Sequence, residues 1–286
     1  LDKALRFLKK QDYNVIFVGS DTVWEARYSN YSPAPPNIYY LPEMNGIKKI
    51  SYAASADPIQ EKFINDRSTV NKLISLVSNF NLITIRDECT RNYLVENGVS
   101  TDRIHFIPDP TLQCDFDELV EMPQIKKSRQ WAAIGYGDKK IKLSIIQQLK
   151  DKYDIIDLSN YTINGKIIPG AIDSVNIRLG IFSMLDLLIT DRFHSSIFTL
   201  KLSRAPVIFI EHSKKWQLPN SKGRDLFKRL GIESMVYRYT GIEDTSKLVE
   251  EYLRRWHLVD SSLTNKFDEL KRIAVKTLKY TMKEII

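Results

Sequence analysis

Cysteine is nearly absent: Cys89 and Cys114 are the only two in 286 residues. Two cysteines cannot build a disulfide scaffold, and neither belongs to a Cys-x-x-Cys pair, so a reduced, cytosolic protein is the simple expectation. No apolar run approaches the length of a membrane-spanning helix; the runs present are strand-sized. The start, Leu1-Asp2-Lys3-Ala4, leads into an amphipathic segment and shows no signal peptide. His105, His194, His212 and His257 have no metal-ligand spacing and no His-Glu-x-x-His occurs, so no metal and no cofactor are expected. A Walker motif and a Gly-x-Ser-x-Gly elbow are missing too. Gly135-Tyr136-Gly137 follows an apolar run, but the third small residue of a dinucleotide fingerprint is replaced by Lys140, so a turn is the better reading. Basic runs interleaved with aromatics are lacking, which argues against a nucleic-acid partner. There is no internal repeat and no low-complexity tract.

What is present is ordinary for a globular protein. Hydrophobic residues make up 43% and charged residues 27%, enough for a packed core and unlike a disordered chain. Lys and Arg number 42 against 35 Asp and Glu, a formal charge of +7. That balance favours an anionic partner: a phosphorylated metabolite, an acidic glycan or anionic lipid head groups.

The chain reads as alternating strands and helices. Val15–Val18, Lys49–Ser55, Leu82–Ile85 and Ile104–Ile107 are short apolar runs that end in polar or small residues, as buried parallel strands do. Helical spacing marks Asp2–Lys10, Asp66–Asn79, with Val70, Leu73, Ile74 and Val77 on one face, and Thr90–Asn97, stopped by Gly98. Asn30–Pro36 reads as a loop. After a crossing segment at Asp115–Lys127 the pattern restarts with strands at Trp131–Ile134, Ile155–Leu158, Leu187–Thr190 and Pro206–Ile210. Helices are expected at Ile141–Asp151, up to Phe182–Asp186, and at Leu226–Leu230. The expectation is an α/β fold of two Rossmann-like domains facing a cleft, residues 1–118 and 119–262, followed by an amphipathic helix over 263–286. In that fold ligands sit at the carboxyl ends of the strands.

The most informative stretch is Leu187-Leu188-Ile189-Thr190-Asp191-Arg192-Phe193-His194-Ser195-Ser196, a strand running straight into a helix that opens near Ser195. A helix start offers backbone N–H groups and a positive dipole end, so an arginine, a histidine and hydroxyls there suit an anion. The plainer alternative is an Arg192–Asp191 pair with a structural His194. Other polar residues at strand ends are Asp21, Arg86 with Asp87, Asp109 and Glu211, with Lys139 and Lys140 as further anion contacts. Each has a structural alternative: Asp21 as a helix cap, Asp87 as a partner of Arg86, Asp109 as a turn between prolines.

The elements Gly19-Ser20-Asp21-Thr22-Val23-Trp24, Ser51-Tyr52-Ala53-Ala54-Ser55, Arg86-Asp87, Pro108-Asp109-Pro110-Thr111-Leu112 and Asp191-Arg192-Phe193-His194-Ser195 resemble, in order and spacing, the polysaccharide pyruvyl transferase family, from about residue 13 to about residue 232. The resemblance implies a fold like that of GT-B glycosyltransferases. It implies transfer of the pyruvyl (enolpyruvyl) group of phosphoenolpyruvate to sugar hydroxyls, forming a ketal and releasing phosphate. Arg192, Arg86, Ser195 and Lys140 are then expected to bind phosphoenolpyruvate, His194 to act as acid and base, and Asp21 or Asp109 to orient or deprotonate the acceptor. The acceptor is a glycan, lipid-linked or free, which puts the enzyme in the cytoplasm or at the inner face of the membrane. Family members carry a further strand–helix region before the Gly-Ser-Asp element, so the chain is expected to be a fragment or to have a reduced first domain. Two other readings stand beside this one: a glycosyltransferase using a nucleotide sugar, and a non-catalytic module bound to glycan or to membrane through the basic last helix.

Overall fold

The computed structural model describes residues 1–27, 35–59, 63–212, 221–239 and 245–285. The loop expected over 30–36 lies, up to residue 34, outside them. The chain divides into two compact units: Leu1–Gln113, Lys214–Asp225 and Asp268–Ile286 form the first, Cys114–Ser213 and Leu226–Phe267 the second.

In the first unit, α1 (Asp2–Lys9) precedes β1 (Val15–Asp21) and β2 (Lys48–Ala54), which pair in parallel from Val15↔Lys48 to Asp21↔Ala54. Then come α2 (Arg67–Ser78), β3 (Ile83–Ile85), α3 (Glu88–Glu96), β4 (Ile104–Phe106) and a short α4 (Pro110–Gln113). The sheet is parallel, in the order β1-β2-β3-β4. Local chemistry sets the helix starts. Asp66 accepts from Thr69 N at 2.8 Å and Asp87 from Thr90 N at 2.8 Å, each satisfying an amide that the first turn leaves open. The expected apolar face of α2, Val70, Leu73, Ile74 and Val77, is buried throughout. It joins Trp24, Tyr40, Phe80 and Ile83 in one core, with Trp24 edge-on to Phe80 at 5.4 Å.

In the second unit β5 (Trp131–Gly135), α5 (Lys139–Leu149) and β6 (Asp154–Asp157) are followed by two short strands, β7 (Thr162–Ile163) and β8 (Lys166–Ile167). Next are α6 (Val175–Ser183), β9 (Leu187–Thr190), α7 (Phe193–Leu202) and β10 (Val207–His212). After α8 (Lys222–Arg229), which the unit boundary divides, come β11 (Val236–Tyr239), α9 (Thr245–Val259) and the start of α10 (Leu263–Ile285), whose residues from Asp268 on belong to the first unit. The sheet order is β11-β10-β9-β5-β6-β7-β8, parallel except for the β6-β7-β8 end. Trp131, Ile134, Leu187, Leu188 and Ile189 are fully buried, as continuous apolar strands covered on both faces must be.

Among the boundaries that differ from expectation, three stand out. The first strand continues through Gly19 and Ser20 to Asp21 instead of closing at Val18. The helix expected to reach Asp186 ends at Ser183, because Asp186 is drawn off to accept from Trp131 N at 2.7 Å and to pair with Lys127 at 2.6 Å. The α7 helix starts at Phe193, two residues before Ser195, with Arg192 as its extended N-cap.

Candidate functional site

In each unit the strand-end residues gather at the carboxyl edge of the sheet, but they are held differently. In the first unit Asp21 ends β1, Arg86 follows β3 and Asp109 follows β4 by three positions. Arg86 donates through Nη2 to Asp21 Oδ1 at 2.6 Å and through Nη1 to Asp109 Oδ2. Asp109 Oδ1 in turn accepts from Thr111 N at 3.0 Å and Thr111 Oγ1 at 2.6 Å. Asp109 and Arg86 are buried, while the Asp21 side chain is 58% exposed. Burial works against the Arg86 charge, but Asp109 and then Asp21 outweigh it and hold the guanidinium above its ordinary value. So Asp21 is a partner of Arg86 and not a helix cap, and Asp87 is the cap of α3 and not a partner of Arg86 in any ion pair between described residues.

In the second unit the edge is organised by Thr190 and Asp191 where β9 leaves β5, with Gly135 opposite Thr190. Thr190 Oγ1 donates to Gly135 O at 2.7 Å and accepts from Arg192 N at 3.0 Å. Asp191 accepts from Gly137 N at 3.1 Å and pairs with Arg192 Nε at 3.2 Å. Space is tight at both glycines: a Cβ on Gly135 would lie 2.8 Å from Thr190 Oγ1, so something would have to shift, and one on Gly137 would lie 3.2 Å from Asp191 Oδ2.

Beside these groups is a pocket of about 410 Å³ lined by Tyr136, Gly137, Lys139, Lys142, Asp157, Ser159 and Arg192, among others. It gathers residues from the ends of β5 and β6, from the first turn of α5 and, in Arg192, from the N-cap of α7. Arg192 is 65% exposed, so its guanidinium is available to a ligand while still paired with Asp191. Lys142 Nζ reaches Asp157 at 2.9 and 3.2 Å and Ser159 Oγ at 3.1 Å. Burial works against the Asp157 carboxylate, but Lys142 and the Ser159 amide prevail and hold it below the usual carboxylate range. Tyr136 is buried, and burial together with Asp191 and Asp138 pushes its phenol well above the ordinary value, so it stays a neutral donor. Three cations and two helix starts around one concavity suit a small, doubly charged anion.

The expected residues therefore separate into groups. Asp21, Arg86 and Asp109 are brought together in the first unit. Arg192 lines the pocket of the second unit, and His194 and Ser195, both half-buried, share the first turn of α7 with it. His194 lies edge-on to Phe193 at 5.3 Å. Lys140 is exposed on α5, its backbone N donating to Asp138 at 2.9 Å, and the pocket takes Lys139 and Lys142 in its place. Glu211 is buried near the end of β10. Sequence reasoning missed Lys142, Tyr136, Asp157 and Ser159. The signal was available: β5 runs into α5 by the same strand-to-helix logic as β9 into α7. Among the described residues no group of three or more His, Cys, Asp or Glu is placed to hold a metal ion, and no helix is long and apolar enough to cross a membrane.

A family model described as polysaccharide pyruvyl transferase matches residues 1–214. No curated protein sequence matches the chain. Among solved structures, the chain is similar to a UDP-GlcNAc 2-epimerase from Neisseria meningitidis bound to UDP-GlcNAc, with 13% identity and a TM-score of 0.56 over 99% of this chain and 79% of that one. It is also similar to the glycotransferase of kitacinnamycin, with 12% identity and a TM-score of 0.51 over 95% of this chain and 76% of that one. These likenesses show the fold, two Rossmann-like units of GT-B type.

Proposed function

The chain belongs to the polysaccharide pyruvyl transferase family, and from that premise we propose that it transfers the pyruvyl group of phosphoenolpyruvate to hydroxyls of a glycan acceptor, forming a ketal and releasing phosphate. The observation that carries the donor assignment is the grouping of Arg192, Lys139 and Lys142 around one pocket at the carboxyl edge of a parallel sheet. Phosphoenolpyruvate brings a phosphate and a carboxylate, and an arginine fork with two lysines and a helix start matches both.

In this reading His194 delivers a proton to the methylene carbon. One sugar hydroxyl then attacks the adjacent carbon and loses its own proton. The carbon–oxygen bond to phosphate then breaks, phosphate leaves with the electron pair, and a second hydroxyl adds to the resulting oxocarbenium carbon, giving its proton to the departing phosphate and closing the ketal. Imidazole suits proton transfer in both directions near neutral pH. Ser195 lies in the same first turn and adds a hydroxyl to the anion contacts. We assign acceptor binding within the first unit to Asp21, the exposed carboxylate of its group. Asp109, with both oxygens taken, is a positioning residue that acts through Arg86, and Arg86 positions Asp21. Phosphoenolpyruvate is the co-substrate, and the reaction as proposed uses no other cofactor.

Calorimetric titration tests the donor. Phosphoenolpyruvate is expected to bind the parent protein and to bind Arg192→Ala at least tenfold more weakly, with uridine diphosphate silent. Binding of uridine diphosphate alone would instead establish a nucleotide-sugar glycosyltransferase on the same fold.

A further inference from the structure

The charge of this chain is unevenly placed. Between residues 271 and 283 there are five cations, Lys271, Arg272, Lys276, Lys279 and Lys283, and no Asp or Glu, against a formal charge of +7 for the whole chain. All five lie on α10, together with Val275 and Tyr280. Multiples of 100° per residue put these seven on one half of the helix circumference. The other half faces inward: Ala274 is fully buried against Ala53 and Ile107, with Tyr52 and Leu278 beside them. The outer half is open, with Val275 47% and Tyr280 64% exposed. None of the five cations forms an ion pair with a carboxylate among the described residues; Arg272 donates only to the backbone of Asp268.

We propose that this face is a docking surface for an anionic lipid bilayer. Twelve steps of about 1.5 Å make a basic strip roughly 18 Å long, straight enough to lie along a plane. A bilayer offers negative head groups to the lysines and, a few ångströms below, an apolar layer to Val275 and Tyr280. Lysine stems also lie along apolar surface while their ammonium groups stay with the phosphates. An acidic glycan would meet the charges but has no apolar layer for the two exposed side chains. The helix docks on the surface and does not span, since no helix among the described residues is apolar enough to cross.

The test is co-sedimentation of the full chain with vesicles of phosphatidylcholine alone and of phosphatidylcholine mixed with phosphatidylglycerol. It uses no substrate, so its failure leaves the transfer reaction standing. Binding is expected only with the mixed vesicles and is expected to fall steeply with salt. Each cation contributes about fivefold to the partition. Lys276→Glu, Lys279→Glu and Lys283→Glu together therefore weaken it by roughly a hundredfold or more. Thermal melts check that this variant is folded, and Tyr280→Ser, which keeps every charge, weakens binding by a smaller factor. Equal binding to both vesicle types, full binding by the folded triple variant, or retention by an acidic polysaccharide with no vesicle binding would each overturn the proposal.

Discussion

Arg86 Nη2 donates to Asp21 Oδ1 at 2.6 Å, which ties the residue after β3 to the last residue of β1 across 65 positions of sequence. Through Nη1 the same guanidinium holds Asp109, whose other oxygen is taken by Thr111. One cation thus lies between a buried carboxylate and an exposed one. A buried charge is tolerated only when it is paired, so each member of this group makes the others possible.

Removing the cation should therefore cost more than removing the exposed anion. Arg86→Met leaves Asp109 buried without its partner and is expected to lower stability by about 3–5 kcal/mol. Asp21→Asn is expected to cost about 1 kcal/mol, because water screens its carboxylate. The double variant Arg86→Met/Asp109→Leu should recover part of the single loss, since no uncompensated charge remains. Urea midpoints for the three proteins decide it; a double variant less stable than Arg86→Met would mean that the network and not the orphaned charge sets the cost.

The Lys142–Asp157 pair makes a pH-dependent contribution whose sign follows from its direction. Asp157 is depressed in the folded protein, so the stabilisation is complete above the unfolded carboxylate pKa of about 3.9 and is lost as pH falls through the lower folded value. Asp157→Asn cannot make this contribution. At pH 7 it is expected to be about 1 kcal/mol less stable than the parent, with the gap closing below about pH 4. Urea unfolding across that range is the measurement, and a gap that stays constant into strong acid would show that Lys142 does not depress Asp157.

Much of this was legible in the sequence, and the failures have physical causes. The apolar period of α2 and the continuous apolar strands were readable because burial on one face or on both dictates them. The β7–β8 hairpin was not, since two-residue strands are too short to show alternation. Its turn, Asn164-Gly165, with φ of 47° and 81°, was the signal to use. Helix α9 and strand β11 were likewise not anticipated. Arg86 and Arg192 look alike in sequence, each just after an apolar strand. What separates them is exposure, 0% against 65%, and that depends on carboxylates far away in the chain. Lys142 was passed over because it lies a turn beyond the strand end, where only the three-dimensional course of α5 brings it to the pocket.

Gly180 gives a test of packing against propensity. It lies inside α6, where alanine is intrinsically better by about 1 kcal/mol. But a Cβ there would sit 1.9 Å from Glu121 O and 3.1 Å from Pro123 Cδ. Backbone at that distance has to move, and overpacking of this kind typically costs about 1–3 kcal/mol. Gly180→Ala is therefore expected to be destabilising by about 1–2 kcal/mol net. A variant that melts higher than the parent would show that the 121–123 segment shifts freely.

Arg192, Lys142 and His194 should separate kinetically, because they are asked to do different things. In the proposed reaction Arg192 and Lys142 hold the donor. A charge-assisted hydrogen bond contributes about 1.5–3 kcal/mol, so Arg192→Ala should weaken phosphoenolpyruvate binding by roughly 10- to 150-fold. Lys142→Met should weaken it less, since Lys142 is already shared with Asp157 and Ser159. In the same proposal His194 moves a proton. His194→Ala should keep donor binding within about threefold and lower kcat by roughly 10²–10⁴, the usual contribution of a positioned acid or base. Binding titrations and steady-state phosphate release on the three variants distinguish the roles. A His194→Ala enzyme with normal kcat would remove histidine from the chemistry, and one that no longer bound phosphoenolpyruvate would make it an anion ligand beside Arg192.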